Sequence, residues 1–105
     1  MDAKTFNKIV EAVHKECKDT LINRAKFYAD EDRFRNFKNV ARIKNTDKYD
    51  ALFGMFLKHF EAWINFMSKD PSATPIEQWR EKVIDMINYL TICLGMVYED
   101  QDKKK

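Results

Sequence analysis

The stretch RFRNFK at residues 33–38 sets three cationic side chains around two aromatic rings. Guanidinium and ammonium groups hold phosphate oxygens through charge-assisted hydrogen bonds, and a neighbouring ring can stack on a base. The alternative is a helix with two buried rings and a solvated charged face, and the residue types fit both. The candidate binding residues of this stretch are Arg33, Arg35, Asn36, Phe37 and Lys38.

Of the two arginines in this stretch, Arg33 is the better candidate anchor for a phosphate. At helical spacing it shares a side with Phe37 and Val40, whereas Arg35 points along the solvated flank with Lys38. Rings held in the core would fix the charged side chains in place. Preorganised cations bind an anion better than mobile ones because less conformational freedom is lost.

A second constellation lies near the end of the chain, where Glu81, Asp85 and Asn88 are spaced i, i+4 and i+7. Side chains at this spacing line one strip of a helix. Two carboxylates one turn apart can hold Mg²⁺, which takes oxygen ligands and bridges them to phosphates. The alternative is a solvated strip that binds nothing.

Lys58 and His59 form a third candidate, in the middle of a strongly apolar segment. A lone histidine there is usually a satisfied core or interface residue, and the alternative is a donor to a phosphate or a base. No Cys or Ser nucleophile stands at a recognisable spacing from it, and no His/Cys cluster indicates zinc. We therefore assign no catalytic residue and no metal ligand.

Four helices are predicted to position these residues. A chain of 105 residues with two glycines and two prolines predicts a single domain of long helices. Asp30 is the expected cap of the second helix, and Asn45 or Thr46 that of the third. A capping box with Pro at the first helical position, at 74–77, opens the fourth. The predicted helices cover 3–27, about 31–44, 46–69 and 75–98, in a domain of residues 1–99 with a disordered tail at 100–105.

The composition of the chain restricts the kinds of partner we expect. A net charge of +2 is too small to indicate a duplex nucleic-acid binder by itself. No apolar run of 18 residues and no opening signal peptide are present, so we expect a cytoplasmic protein without a membrane partner. Cys17 and Cys93 lie among apolar residues without metal spacing, which predicts reduced core thiols.

The third and fourth helices are apolar on more than one face. A domain this small cannot cover such broad arcs within one bundle, so we expect a symmetric homo-oligomer that buries the second faces. The main stripes, expected to face the domain's own core, are Tyr49, Leu52, Phe53, Phe56, Leu57, Phe60, Ile64 and Met67, and Trp79, Val83, Met86, Leu90, Leu94 and Val97. The second faces comprise Met55, Ala62 and Phe66, and Ile84, Tyr89, Ile92 and Met96.

Three segments, YADEDRFRNFKNVARIK, ALFGMFLKHFEAW and WREKVIDMINYLTICLGMVYE, resemble a family of small phage proteins. In that family a D-R-F-x-N-F segment, a central K-H and a terminal E-K-x-x-D-x-x-N-Y-L helix follow in this order. The resemblance covers roughly residues 28–99. These proteins are similar to the all-α, MazG-like nucleoside triphosphate pyrophosphohydrolases, which are helical oligomers that hold Mg²⁺ with E-x-x-E and E-x-x-D pairs.

The chain departs from that enzyme pattern. Its fourth helix has Glu81 and Asp85 one residue further apart than E-x-x-D, and its third helix has no E-x-x-E, only Glu61 near His59. By analogy with viral sponge proteins, we expect a phage protein that sequesters a nucleotide, including the cyclic nucleotides of bacterial anti-phage defence, without hydrolysing it and without a cofactor. The alternatives are a Mg²⁺-dependent pyrophosphohydrolase using Glu81 and Asp85, and a non-catalytic interaction or regulatory protein.

The expected binding site lies between protomers. The phosphates of the bound nucleotide would contact the basic residues of RFRNFK together with Lys58 or His59. Asp85, Asn88 and Tyr89 would read the base or sugar as acceptor, amide and ring, rather than hold a metal.

Overall fold

The computed structural model of the protein describes residues 1–27 and 32–104, the side chains of residues 25–27 excepted. The described part holds helices and no strand, which confirms the predicted all-α class. Both cysteines are free thiols, Cys17 buried and Cys93 half-buried. The elements are α1 (Ala3–Phe27), α2 (Arg35–Lys44), α3 (Lys48–Ser68), a 3₁₀ turn (Pro71–Ala73) and α4 (Ile76–Lys103).

Helices α3 and α4 form an antiparallel hairpin that organises the domain. Near the connecting turn the ring of Phe66 meets that of Trp79 edge-on at 5.3 Å between centroids. At the far end, Lys48 at the start of α3 bonds Asp100 near the end of α4. Helix α1 packs on α4 and α2 packs on α3, giving a body of 46 × 28 × 27 Å.

The core lies where α2, α3 and α4 meet. Phe37, Leu52 and Met96, one from each helix, form its buried centre. Met96 has no exposed surface. Half-buried side chains surround this centre: Phe34, Tyr49, Met55, Tyr89, Ile92 and Cys93. The two rings of RFRNFK therefore anchor α2 to the hairpin.

The helix boundaries use different capping residues from the predicted ones. Asn45 ends α2 in the left-handed conformation (φ 56°) and does not cap α3. The Asp47 side chain caps α3 by accepting from the Asp50 backbone N–H at 2.8 Å, so the expected cap at Asn45 or Thr46 is wrong. Pro75 precedes α4 without a side-chain capping bond, so the expected capping box does not form. The predicted Asp30 cap lies outside the described residues.

Two elements differ in extent from the prediction. Helix α2 begins at Arg35, so Arg33 lies in a turn before it and not at helical spacing from Phe37. Asp32 holds this turn by accepting from the Phe34 backbone N–H at 3.0 Å. Helix α4 continues to Lys103, into the segment expected to be a disordered tail. Lys48 and Tyr49 at the start of α3 hydrogen-bond Asp100 and so hold this last part of α4 against the domain.

The apolar faces of the hairpin are in large part oriented opposite to the expectation, although Tyr49 and Leu52 of the predicted main stripe of α3 pack in the core. The predicted second faces point inward, where α1 and α2 cover them; Ile84 and Met96 are buried there. Much of the predicted main stripes is instead exposed, since no described helix lies over it. We call this surface the bare face; its most exposed members, each at least 41% exposed, are Phe53, Leu57, Ile64, Met67, Leu90 and Leu94.

None of the helices in residues 1–27 and 32–104 combines the length and the apolarity that a membrane span requires.

Candidate ligand-binding cavity

A cavity of about 270 Å³ opens on the covered side of the hairpin. All four helices contribute to its wall, together with the turn before α2. Six residues that the sequence singled out lie in this wall: Arg33, Asn36, Phe37, Asp85, Asn88 and Tyr89. The remaining lining residues are Leu21, Arg24, Met55 and Ile92.

Asp85 and Asn88 bring polar groups to the buried part of this cavity. They are 6% and 5% exposed, so the interpretation of a solvated strip is wrong for both. The Asp85 carboxylate lies 3.5 Å from the Arg24 guanidinium through Oδ1 and 3.4 Å from His59 Nδ1 through Oδ2. Burying a charge is costly unless it is paired, and the Arg24 guanidinium offsets that cost.

His59 lies behind Asp85 and against Tyr89. The centroids of its ring and the Tyr89 ring are 5.3 Å apart, at a tilt of 35°. Burial lowers the pKa of His59 below its ordinary value of 6.5. Asp85 and Glu81 oppose this shift, while Lys82 and Arg24 reinforce it. At neutral pH the imidazole is therefore uncharged, and it neighbours the cavity without lining it.

Two buried nitrogen atoms have no hydrogen-bond partner among the described residues: Asn88 Nδ2 and His59 Nδ1. His59 Nδ1 is close enough to Asp85 to form an ion pair when protonated, but the two atoms do not meet hydrogen-bond geometry. A buried donor without a partner costs about 1–3 kcal/mol. Such groups are uncommon in native interiors, and a bound molecule or a chemical role is one explanation for them.

Arg33 reaches the cavity from the turn before α2. It forms no ion pair with any described residue, unlike Arg24. Its neighbour Phe34 fixes the position of the turn, because the ring tip Cζ lies 2.9 Å from where a Cβ of Gly95 would stand. Only a residue without a side chain lets the ring approach α4 so closely.

The other predicted binding residues lie elsewhere. Lys38 bonds Asp32 at 2.7 Å and Glu99 at 2.9 Å, on the side of α2 away from the cavity. Its hydrogen bond with Asp32 raises the pKa of Lys38 and lowers that of Asp32. Arg35 and Lys58 are exposed and do not line the cavity.

Lys38 belongs to a cluster that joins α2, the start of α3 and the end of α4. Lys48 contacts both Glu99 and Asp100, and the Tyr49 hydroxyl donates to Asp100 at 2.6 Å. This bond raises the pKa of Tyr49 to about 12. The cluster pins the end of α4 and leaves its charges paired with one another.

Sequence reasoning missed Arg24, which supplies the cavity's second guanidinium. Val13, Cys17 and Leu21 form the inner stripe of α1, and Arg24 continues it at i+3 from Leu21. An arginine on an apolar stripe was the available signal, but its partner Asp85 lies 61 residues further along the chain.

No group of three or more His, Cys, Asp or Glu side chains that could hold a metal ion occurs in the described ranges. Of the two acids that the enzyme alternative would use, Glu81 is exposed, whereas Asp85 is buried beside Arg24. Asp85 is the one acid in the described lining of the cavity.

Comparisons with known proteins give no assignment: no protein-family model, no curated protein and no solved structure matches this chain.

Proposed function

We propose that this protein binds a nucleotide in the cavity and retains it without hydrolysis. The supporting observation is that one cavity contains three kinds of group: a guanidinium with no acid partner among the described residues, two aromatic rings, and buried polar groups. These groups suit a phosphate, a base plane and a base edge respectively.

Arg33 is the proposed phosphate contact. A guanidinium already paired with a carboxylate would have to exchange that partner for the ligand. Arg33 has no such partner among the described residues, whereas Arg24 lies 3.5 Å from Asp85. Phe34 and Phe37 hold the turn against α3 and α4, so the arginine starts from a fixed backbone position.

Retention without hydrolysis is supported by the acids that line the cavity. The MazG-like enzymes that the sequence resembles hold Mg²⁺ with two pairs of carboxylates. Here one carboxylate, Asp85, faces the described cavity, and its charge is shared with Arg24. We therefore favour a binding protein over the pyrophosphohydrolase.

Sequestration of a nucleotide signal of anti-phage defence is the cellular role we propose, by analogy with viral sponge proteins. Small-molecule sites typically measure roughly 300–1,000 Å³. The cavity of about 270 Å³ lies just below that range and suits a mononucleotide. A larger cyclic nucleotide would extend past the cavity mouth.

Self-association through the bare face is part of the proposal. Soluble monomers rarely expose large contiguous apolar patches, and a symmetric dimer would cover both copies of this one. We expect light scattering to show more than the 12.6 kDa of one chain at micromolar concentration. Leu94→Lys, which places a charge at a 55% exposed site, should return the mass to 12.6 kDa with helicity unchanged. A monodisperse wild-type monomer would contradict the proposal.

The ligand can be found with a thermal-shift screen of mononucleotides and of cyclic di- and trinucleotides, each with and without Mg²⁺. Calorimetry on the best ligand then tests the site. Arg33→Ala should weaken binding about tenfold or more, equivalent to about 1.4 kcal/mol. Arg42→Ala removes the same charge from an exposed position of α2 outside the cavity and should leave affinity unchanged.

Two results would overturn this proposal. Equal affinity of the Arg33→Ala and Arg42→Ala variants would remove the phosphate contact. Steady release of pyrophosphate from a nucleoside triphosphate, abolished by Asp85→Ala, would establish the enzyme alternative.

A further inference from the structure

The polar groups of the cavity are unevenly placed along α4. Asp85 and Ile92 both line it and are seven residues apart, about 10 Å of helix rise. Asp85 and Asn88, one turn apart, occupy the end near Arg24 and His59. The other end faces the core, where Ile92 packs near Phe37.

The turn that carries Arg33 lies at the end opposite to Asp85. The neighbouring Phe34 lies against Gly95, ten residues beyond Asp85 and so about 15 Å further along the helix. A bound nucleotide would therefore lie with its phosphate towards Arg33 and its base towards Asp85 and Asn88. The reverse orientation would place a phosphate against a buried carboxylate, and the repulsion between these two negative groups disfavours it.

The Asp85 side chain faces the Arg24 guanidinium and accepts hydrogen bonds, so a donor is the ligand group that suits the position beside it. Arg24 and His59 contact Asp85 at 3.5 and 3.4 Å, one on each oxygen. A carboxylate has about four lone-pair sites, which leaves room for a further donor. An exocyclic amino group is such a donor, whereas a base carbonyl at the same position would oppose one acceptor with another.

Asn88 strengthens the same selection. Its amide is 5% exposed, and Nδ2 has no partner in the described chain. An amide offers a donor and an acceptor side by side, as do the amino group and ring nitrogen of cytosine or adenine. The unpartnered Nδ2 donor suits the ring nitrogen, which is an acceptor.

We infer that Asp85 and Asn88 make the site selective for a base with an exocyclic amino group over one with a carbonyl in its place. This inference rests on the proposed function, because it assigns the base end of the same cavity. It names the ligand class as nucleotides of cytosine or adenine rather than of uracil or hypoxanthine.

Two pairs of probes differ at this position: CMP with UMP, and AMP with IMP. Calorimetry on the wild-type protein should show the amino member of at least one pair binding about tenfold more tightly than its carbonyl partner. Asp85→Asn supplies an amide N–H in place of a carboxylate oxygen. It should reduce or invert that preference, while the melting temperature shows whether the variant is folded.

The outcomes separate the two proposals. If none of the four nucleotides binds, the base selectivity fails; the proposed function fails as well if no mononucleotide or cyclic nucleotide of the thermal-shift screen binds. If both members of each pair bind equally, and Arg33→Ala weakens them all, the cavity is a nucleotide site and the base selectivity is wrong. A wild-type preference that persists in folded Asp85→Asn would also overturn the role of Asp85.

Discussion

The two sides of the α3–α4 hairpin are similarly apolar in sequence but differ in how they are covered. On one side α1 and α2 bury Leu52, Ile84 and Met96. On the other, Leu57 and Leu94 of the bare face remain exposed to solvent. Hydrophobicity alone therefore does not decide which face of a helix enters the core.

The two sides also differ in polar chemistry. The buried polar residues Asp85 and Asn88, together with half-buried His59, lie on the covered side, where the cavity is. The bare face consists of exposed apolar side chains. The ligand binding and the self-association that we propose would therefore use opposite sides of one hairpin, and a substitution on one side should leave the other function intact.

The largest effect that tests this comparison comes from two leucines of α3. Leu52 is 6% exposed on the covered side, and Leu57 is 41% exposed on the bare face. Leu52→Ala should cost about 2–5 kcal/mol of unfolding free energy, because it removes buried surface and leaves a cavity. Leu57→Ala should cost about 1 kcal/mol. Urea unfolding in dilute protein measures both, and equal losses would contradict the distinction between the faces.

Substituting alanine for each of the two glycines should change the stability by an intermediate amount, with opposite signs at the two positions. Gly95→Ala would set a Cβ 2.9 Å from the Phe34 ring tip, and displacing that ring should cost about 1–3 kcal/mol. Gly54→Ala meets nothing within 4 Å and should stabilise α3 by about 0.5–1 kcal/mol. Thermal unfolding of both variants measures the difference. Stabilisation by Gly95→Ala would show that the Phe34 contact does not hold the turn.

The smallest effect is a pH dependence from His59. Its pKa is lowered by burial in the folded state, so the folded protein favours the neutral imidazole. Its contribution to stability is complete above about pH 6.5 and is lost as the pH falls through that value towards the folded pKa. The pKa values of Asp32, Glu99 and Asp100 are lowered, so these carboxyl groups stay ionised down to pH 5.5.

Urea unfolding at pH 7.5, 6.5 and 5.5 tests this contribution. Wild-type protein should lose stability over this range, and His59→Gln should lose less, because glutamine does not titrate. Identical pH dependence in the two proteins would place the titrating group elsewhere.

Much of the fold could be predicted from local pattern. Both ends of α1 were predicted correctly, and the last residues of α2 and α3 were predicted to within one residue. Apolar periodicity and turn residues, which act over a few positions, suffice for these boundaries. The start of α2 was not predicted correctly, since it depends on the hydrogen bonds that Asp32 accepts from Phe34 and Lys38. The end of α4 depends on contacts with α3 that lie about 50 residues away.

The candidate site was predicted in part. Asp85 and Asn88 were placed on one strip, together with Glu81, because helical spacing is fixed by backbone geometry. Their meeting with Arg33, Asn36 and Phe37 in one cavity could be expected only from the resemblance. Lys38 was expected to face a ligand but pairs with Glu99, and no local pattern indicates an ion pair across 61 residues.

The sequence by itself determined that this chain forms four amphipathic helices and that two of them are apolar on more than one side. Those properties follow from residue type and from the period of the helix, which are local. The tertiary structure decided which apolar side faces inward, and so which polar residues share a cavity. The reason is that α1 and α2 can cover only one side of the hairpin. Covering the side with Asp85 and Asn88 buries these groups beside Arg24, and leaves the opposite apolar side open.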